Sequence, residues 1–334
     1  MNFLINAWYK KAAWLYLLRP LAFVFGQVVR YRRRQYQTGR RPSYTATVPV
    51  IIVGNITVGG TGKTPLVIFL ARHLRNAGYH PGIVSRGYGS AAAHYPYTVT
   101  AASSALTAGD EALLLAADSD CPVVIAADRV SALRQLLAEF DCNVVLSDDG
   151  LQHYAMARTI EIAVLDGRRG LGNGCLLPAG PLRENAERLS EVDHVVCNGN
   201  AQGPGIPENA IPMYLQARYL CHLRSGEKRA LHTVASSQKV HAVAGIGNPE
   251  RFFSTLTQCG FAIISHVFRD HYRYRAADLE FNDELDVIMT EKDAVKCKAF
   301  ANERCWYLKV EAVLPESFGA ALLQQLATLT APAI

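Results

Sequence analysis

No aspartate or glutamate occurs before Asp110. Residues 1–109 nevertheless hold 13 Lys and Arg, so this third of the chain carries +13. The remaining 21 basic and 29 acidic residues leave the rest at −8. Such one-sidedness excludes a self-neutralised surface and implies an anionic partner: lipid headgroups, phosphates or nucleic acid. The eight cysteines include no Cys-x-x-Cys pair, which excludes the usual zinc and thiol-redox spacings and suits reduced thiols in a cytosolic compartment. An uninterrupted membrane span is missing too. The uncharged runs at 12–18 and 20–29 are split by Arg19, short of the about 20 apolar residues that a hydrocarbon core requires. Lys10 and Lys11 interrupt the apolar run where a secretory signal would place its charges first.

What is present is a globular composition, 50% hydrophobic and 19% charged over 334 residues, with length enough for two domains. In the first segment Leu4, Trp8, Leu15, Leu18, Phe25 and Val29 recur at helical spacings. We expect helices lying in a membrane interface over 1–45, with Trp8, Trp14 and Tyr16 at headgroup level. Arg30, Arg32, Arg33 and Arg34 follow, together worth roughly 4 kcal/mol at an anionic leaflet. A helix packed on the protein's own core and a true span are the alternatives.

From Pro49 short apolar runs alternate with helical patterns: 50–53, 82–85, 122–126, 143–147 and 160–166, with helices at 65–76, 110–117 and 129–140. Continuous apolar strands between helices predict an α/β fold with a parallel sheet covered on both faces. The breaker-rich stretch 200–212 reads as a domain edge. The expected organisation is a P-loop NTPase-like core over 46–212, a two-stranded linker over 213–235 around Ser225–Gly226, and a smaller α/β domain over 236–330.

The stretch "GNITVGGTGKTP" carries the chemistry. Gly62-Lys63-Thr64 match the end of a P-loop, while Thr57 stands where its first glycine belongs. Gly59 and Gly60 lie inside the loop, and glycines let backbone amides turn inward into an anion-binding nest. The helix that follows points its positive end at the phosphates. Thr57, Val58, Gly59, Gly60, Thr61, Gly62, Lys63 and Thr64 are therefore the expected nucleotide cradle, with Lys63 reaching the outer phosphates and Thr64 placed for Mg²⁺. "NVVLSDDG" supplies Asp148 at the end of the apolar run 144–146, as a metal-binding acid requires. An Asn-Lys-x-Asp guanine motif is missing; "TEKD" at 290–293 has its lysine in the wrong place. "AGIGNPE" at 244–250 has Glu250 in place of a third glycine and reads as a strand-to-helix turn capped by Asn248.

Further strings are more specific: "SRGYG" (85–89), "GDEALLLA" (109–116), "DDGLQH" (148–153), "LPAGPLRE" (177–184), "RDHY" (269–272) and "TEKDAVK" (290–296). With the glycine loop they make the chain resemble the tetraacyldisaccharide 4′-kinase family over most of its length. The resemblance implies transfer of the γ-phosphoryl group of ATP to the 4′-hydroxyl of a tetraacyldisaccharide 1-phosphate, giving lipid IVA, at the cytoplasmic face of the bacterial inner membrane. It implies Asp110 as the base on the sugar hydroxyl, assisted by His271, with Lys63 and Arg129 as further catalytic residues. Asp148 and Asp149 would serve the metal and its surroundings. Ser85, Arg86, Tyr88, Glu111, Gln152, His153, Arg183 and Glu184 would line the site. The partners implied are the lipid substrate and the membrane surface, with no nucleic acid and no obligate protein partner. A sugar hydroxyl needs a carboxylate or imidazole in hydrogen-bond reach, and arginines suit phosphoryl charge or a 1-phosphate. Asp110 and His271 can act together only if two domains face each other across a cleft. A membrane-docked P-loop ATPase is the competing class; it leaves Asp110 and His271 without a task.

Overall fold

A computed structural model describes residues 2–233 and 237–330. The chain opens with α1 (Asn2–Lys10), a 3₁₀ turn (Ala13–Leu18) and α2 (Arg19–Gln37). Then come β1 (Val50–Gly54), α3 (Lys63–Asn76), β2 (Pro81–Ser85), β3 (Tyr97–Val99), the single turn α4 (Ala105–Ala108), α5 (Asp110–Ser119), β4 (Val123–Ile125), α6 (Arg129–Glu139), β5 (Val144–Asp148), β6 (Ile160–Asp166) and β7 (His194–Asn198). The second half holds β8 (Ile211–His222), β9 (Lys228–Ala230), β10 (Lys239–Ala244), α7 (Pro249–Gln258), β11 (Ala262–Val267), β12 (Val287–Thr290), α8 (Glu291–Cys297), β13 (Cys305–Val313) and α9 (Glu316–Thr330).

The strands run in the order β11-β10-β12-β13-β8-β7-β6-β1-β5-β2-β4-β3, with β9 paired to β8. In the first half the pairings are parallel except for β3 at the edge. As the unbroken apolar runs require, the strands are covered on both faces. Ile51 and Val53 join the cluster of Leu66 and Leu70 from α3, while Val50 and Ile52 join that of Leu133 and Leu136 from α6. Register places Val53 beside Asp148, so the loop after β1, the acid ending β5 and Ser85 ending β2 share the carboxyl edge of the sheet, where open α/β sheets bind ligands.

The two halves are joined more closely than a linker would join them. Strand β8 pairs with β7 at Ile211–Met213 and then with β13 from Tyr214 to His222, so one strand belongs to both. The hairpin at Ser225–Gly226 is present, with β9 as its second arm. Helix α9 returns to the first half, where Phe318, Leu322 and Leu326 pack with Leu66, Leu70 and Leu74. The segment 236–330 thus does not form one lobe: its last helix completes the core of the other.

At the N-terminus the periodic set faces inward. Trp8 and Leu15 are buried, Leu4, Leu18, Phe25 and Val29 are partly buried, and the Trp8 indole donates to Pro178 O at 3.0 Å. Trp8 is therefore a packing residue and not a headgroup anchor; Trp14 and Tyr16 remain exposed. A second stripe lies outside. Leu17, Leu21, Val24, Val28 and Tyr31, spaced 4, 3, 4 and 3, are all more than half exposed, with Phe23 beside them. Arg33 turns inward to Glu191, leaving Arg30, Arg32 and Arg34 as outward cations and lowering the expected electrostatic term to roughly 3 kcal/mol. Among the described residues no single helix is long and apolar enough to cross a membrane; one pair, bent by 105°, passes by length and composition only.

Candidate active site

One cleft of about 1440 Å³ runs from Phe25 and Val28 on α2, past Lys63 and Thr64, to His271 and Lys292. Its floor is the glycine loop. Gly62 has φ 95° and Gly59 φ 116°, backbone that a side chain disfavours. A Cβ on Gly62 would stand 2.2 Å from the Asn198 Nδ2, which donates to Thr61 O at 2.9 Å. Asn55 clasps the loop from the other side, donating to Gly59 O and Thr61 Oγ1. "LPAGPLRE" backs it: Val58 N donates to Pro181 O at 2.8 Å and Arg183 N to Ile56 O at 2.7 Å. Thr57 is buried, pairing with Leu182, so it contributes backbone geometry where a glycine would have left freedom.

The two adjacent acids differ. Asp149, at φ 51°, faces Lys63 at 3.5 Å and Arg183 at 3.1 Å. Burial would raise its carboxyl, but these cations outweigh burial and hold it at about 2. Asp148 is buried, accepts from Ser85 Oγ at 3.3 Å, and keeps Oδ1 without a partner. Burial and the nearby Glu111 carboxylate push it up to about 7. An orphaned buried carboxylate oxygen beside Thr64 and a phosphate loop is what a hard divalent cation satisfies, so the residues fit Mg²⁺, with Asp148 the better ligand and Asp149 committed to Lys63 and Arg183.

Across the cleft, Asp110 opens α5 and His271 sits on the "RDHY" loop. The His271 Nδ1 lies 3.2 and 3.1 Å from the two Asp110 oxygens, joining residues 161 apart in sequence. Gly109, not Asp110, is the helix N-cap; besides facing His271, the Asp110 carboxylate accepts from the next amide, Glu111 N, at 3.0 Å. Burial opposes ionisation of Asp110, yet the His271 hydrogen bond with Lys292 and Lys296 holds its pKa below the usual range. His271 has φ 58°, a strained conformation for a side-chain-bearing residue, and its ring meets Tyr88 at 4.7 Å.

Ser85, Arg86, Tyr88, Glu111, Gln152, Arg183 and Glu184 all reach the cleft wall. Gln152 ties Asn55 O to Arg183, and Glu184 accepts from the Tyr154 hydroxyl at 2.6 Å. Asp110, Arg129 and His153 do not line it; Asp110 is buried and meets the cleft through His271, which does. The Arg129 guanidinium is buried behind the acids, donating to Ala126 O, Ala127 O and Asp149 O. His153 lies 3.8 Å from Asp128, its pKa lowered to about 4 by burial and by Arg129. Asn248 makes no side-chain cap bond, though Pro249 does open α7. That turn has another use: Gly247 approaches Gly60, with its Cβ position 3.3 Å from Gly60 N, and Arg169 donates to Gly247 O at 3.2 Å. Asn55, Arg169, Asn198 and Lys292 were not assigned from sequence. Asn198 ends β7, a strand unmarked there because its "HVVCN" run is short and half polar.

A family model described as tetraacyldisaccharide-1-P 4′-kinase matches residues 14–327. The chain belongs to that family. Relatives named tetraacyldisaccharide 4′-kinase include one from Pseudomonas paraeruginosa, 49% identical over 317 residues and 95% of each chain. Another, from Nitrosococcus oceani, is 49% identical over 329 residues, 98% of this chain and 96% of its own. A solved structure of LpxK from Aquifex aeolicus, described as an apo form in complex with ATP, superposes with TM-score 0.76 at 26% identity, covering 93% of this chain and 99% of that one. The mixed α/β architecture is therefore that of this kinase family.

Proposed function

We propose that the chain transfers the γ-phosphoryl group of ATP to the 4′-hydroxyl of a tetraacyldisaccharide 1-phosphate, forming lipid IVA at the cytoplasmic face of the bacterial inner membrane. The observation that carries this reading is that His271, at the wall of the cleft that also holds Lys63 and Thr64, meets the buried carboxylate of Asp110 directly behind it. A bare ATPase has no use for a buried acid–imidazole pair opposite its phosphate cradle.

Residues 57–64 receive the phosphates through inward amides, and Lys63 reaches the outer ones. Thr64 and Asp148 would hold Mg²⁺, which when bound neutralises charge on the β- and γ-phosphate oxygens. Asp149 keeps Lys63 and Arg183 aligned, and Arg183 faces the transferring group. Arg129 supports the acid pair from behind. Asp110 accepts the proton of the 4′-hydroxyl, with His271 donating to the carboxylate. Arg86, Tyr88, Glu111 and Gln152 contact the sugar headgroup.

The lipid reaches this site along α2. The cleft is lined there by Phe25, Val28, Val29 and Arg32, adjoining the outward stripe of Leu17, Leu21, Val24 and Val28. Seating those four aliphatic side chains among acyl chains contributes on the order of 1 kcal/mol each, added to the arginines. The protein thus docks on the leaflet with its cleft open to the bilayer. The test is incubation with γ-labelled ATP, Mg²⁺ and the tetraacyldisaccharide 1-phosphate in detergent. Labelled lipid is the expected product; label recovered only as free phosphate contradicts the proposal.

A further inference from the structure

Lys292, in the first turn of α8, contacts the acid–imidazole pair, and the phosphoryl-transfer reading leaves it unassigned. Its ammonium has three protons and three acceptors: Glu111 Oε1 at 2.9 Å, His271 Nε2 at 3.3 Å and Asp270 Oδ1 at 3.4 Å. An ammonium only donates, so its bond to Nε2 requires a bare lone pair on that nitrogen. On the other side of the ring Nδ1 faces both oxygens of Asp110, which as an ionised carboxylate only accepts. A single form satisfies both contacts: the neutral imidazole with its proton on Nδ1.

Resting on the phosphoryl-transfer reading above, we propose that Lys292 is a positioning residue that locks His271 in the Nδ1–H tautomer, closes Nε2 to protons, and thereby directs the sugar proton to Asp110. The step balances without another reagent. The 4′-oxygen forms its bond to the γ-phosphorus as the bond from that phosphorus to the β,γ-bridging oxygen breaks. The bridging oxygen leaves with the electron pair on ADP. The hydroxyl proton passes to a free lone pair of Asp110, which still accepts from Nδ1–H through its other oxygen.

Among the charged groups around the ring one pulls the other way: Asp270 Oδ1 stands 3.8 Å from Nε2, beyond hydrogen-bond reach, while the Lys292 ammonium is nearer at 3.3 Å. Asp110 and Glu111 come from α5, Asp270 from the ring's own loop, and Lys292, Asp293 and Lys296 from α8, with Tyr88 and Tyr274 beside them. Burial disfavours the Lys292 ammonium, but Glu111, Asp110 and Asp270 outweigh burial and raise its pKa above that of an ordinary lysine. It therefore stays a donor throughout the working range. Lys292 itself lines the cleft and is part of "TEKDAVK", a string whose place in the site only the tertiary structure discloses.

The experiment is ¹⁵N-histidine NMR of the full-length chain in detergent, with pH profiles of kcat/KM for wild type, Lys292→Met, Lys292→Arg and Asp110→Ala. In wild type at pH 8, His271 should show a protonated Nδ1 and a bare Nε2, a reading that needs no variant to fold. In Lys292→Met, the Nδ1–H tautomer should no longer be the single form seen. The acid limb of that variant's profile should move up by at least about one pH unit, with ATP affinity unchanged within about twofold. Lys292→Arg should restore the limb. An Nε2–H tautomer in wild type, or an unmoved limb in Lys292→Met, overturns the proposal for Lys292. If Asp110→Ala turns over at the wild-type rate, the assignment of Asp110 as the proton acceptor in that reading is wrong. If Asp110→Ala is inactive while the Lys292→Met profile stays put, only the role of Lys292 is lost.

Discussion

The phosphate cradle and His271 line one cleft, with Asp110 buried behind the imidazole, yet the cradle and the Asp110–His271 pair are built in opposite ways. The cradle is eight consecutive residues between one strand and one helix, and its specificity lies in backbone amides. The pair joins the first turn of α5 to a loop 161 residues later, and its specificity lies in two side chains. A change in the cradle should therefore disturb nucleotide binding. A change in the pair should disturb turnover alone.

The sharpest way to break that contrast is to remove one group from each side. Lys63→Ala should lower kcat/KM on the order of 10³-fold and weaken ATP binding, read by calorimetry. Asp110→Ala should cost roughly 10²–10⁴ in kcat while leaving ATP affinity nearly intact. Gly62→Ala tests the backbone itself: its φ of 95° and the 2.2 Å approach of Asn198 Nδ2 imply strain of about 1–3 kcal/mol. The expected outcome is a weaker nucleotide Kd, with the Tm lowered by a few degrees.

Smaller effects should fall on the membrane face and the buried histidine. Leu21→Asp together with Val24→Asp should reduce binding to anionic vesicles at least about tenfold, with kcat in detergent unchanged. For His153 the sign is set by its depressed pKa of about 4 against an ordinary value of about 6.5. Above pH 6.5 both folded and unfolded chains carry it neutral, and its contribution is fully present. As pH falls from about 6.5 to 4 the unfolded chain takes up a proton that the folded chain refuses, so stability falls. His153→Gln should therefore flatten the decline of Tm over that window.

The same contrast explains what could be read from the sequence. The cradle, β1 and α3 were legible because periodicity and glycine chemistry are local properties. The parallel sheet was legible because strands buried on both faces leave unbroken apolar runs. The pairing of Asp110 with His271 was not, since no local signal links distant residues; only a resemblance put them together. Residues whose task is to hold others stayed invisible. Asn198 braces Thr61 O from a strand too short to mark, and Lys292 sits in a string that reads as an ordinary charged helix start. Arg129 and His153 show the converse. They fall within or next to motifs, yet the fold turns them behind the wall. At the N-terminus the periodic residues met the protein's own core, and the second stripe was hidden because α2 is apolar on two sides.

A double-mutant cycle tests the central claim most directly, with kcat measured for Asp110→Ala, His271→Ala and the pair at saturating ATP. If the two act as one unit, the double variant should be no slower than the slower single variant to within about threefold. Multiplicative losses, with each single change acting independently of the other, would contradict it.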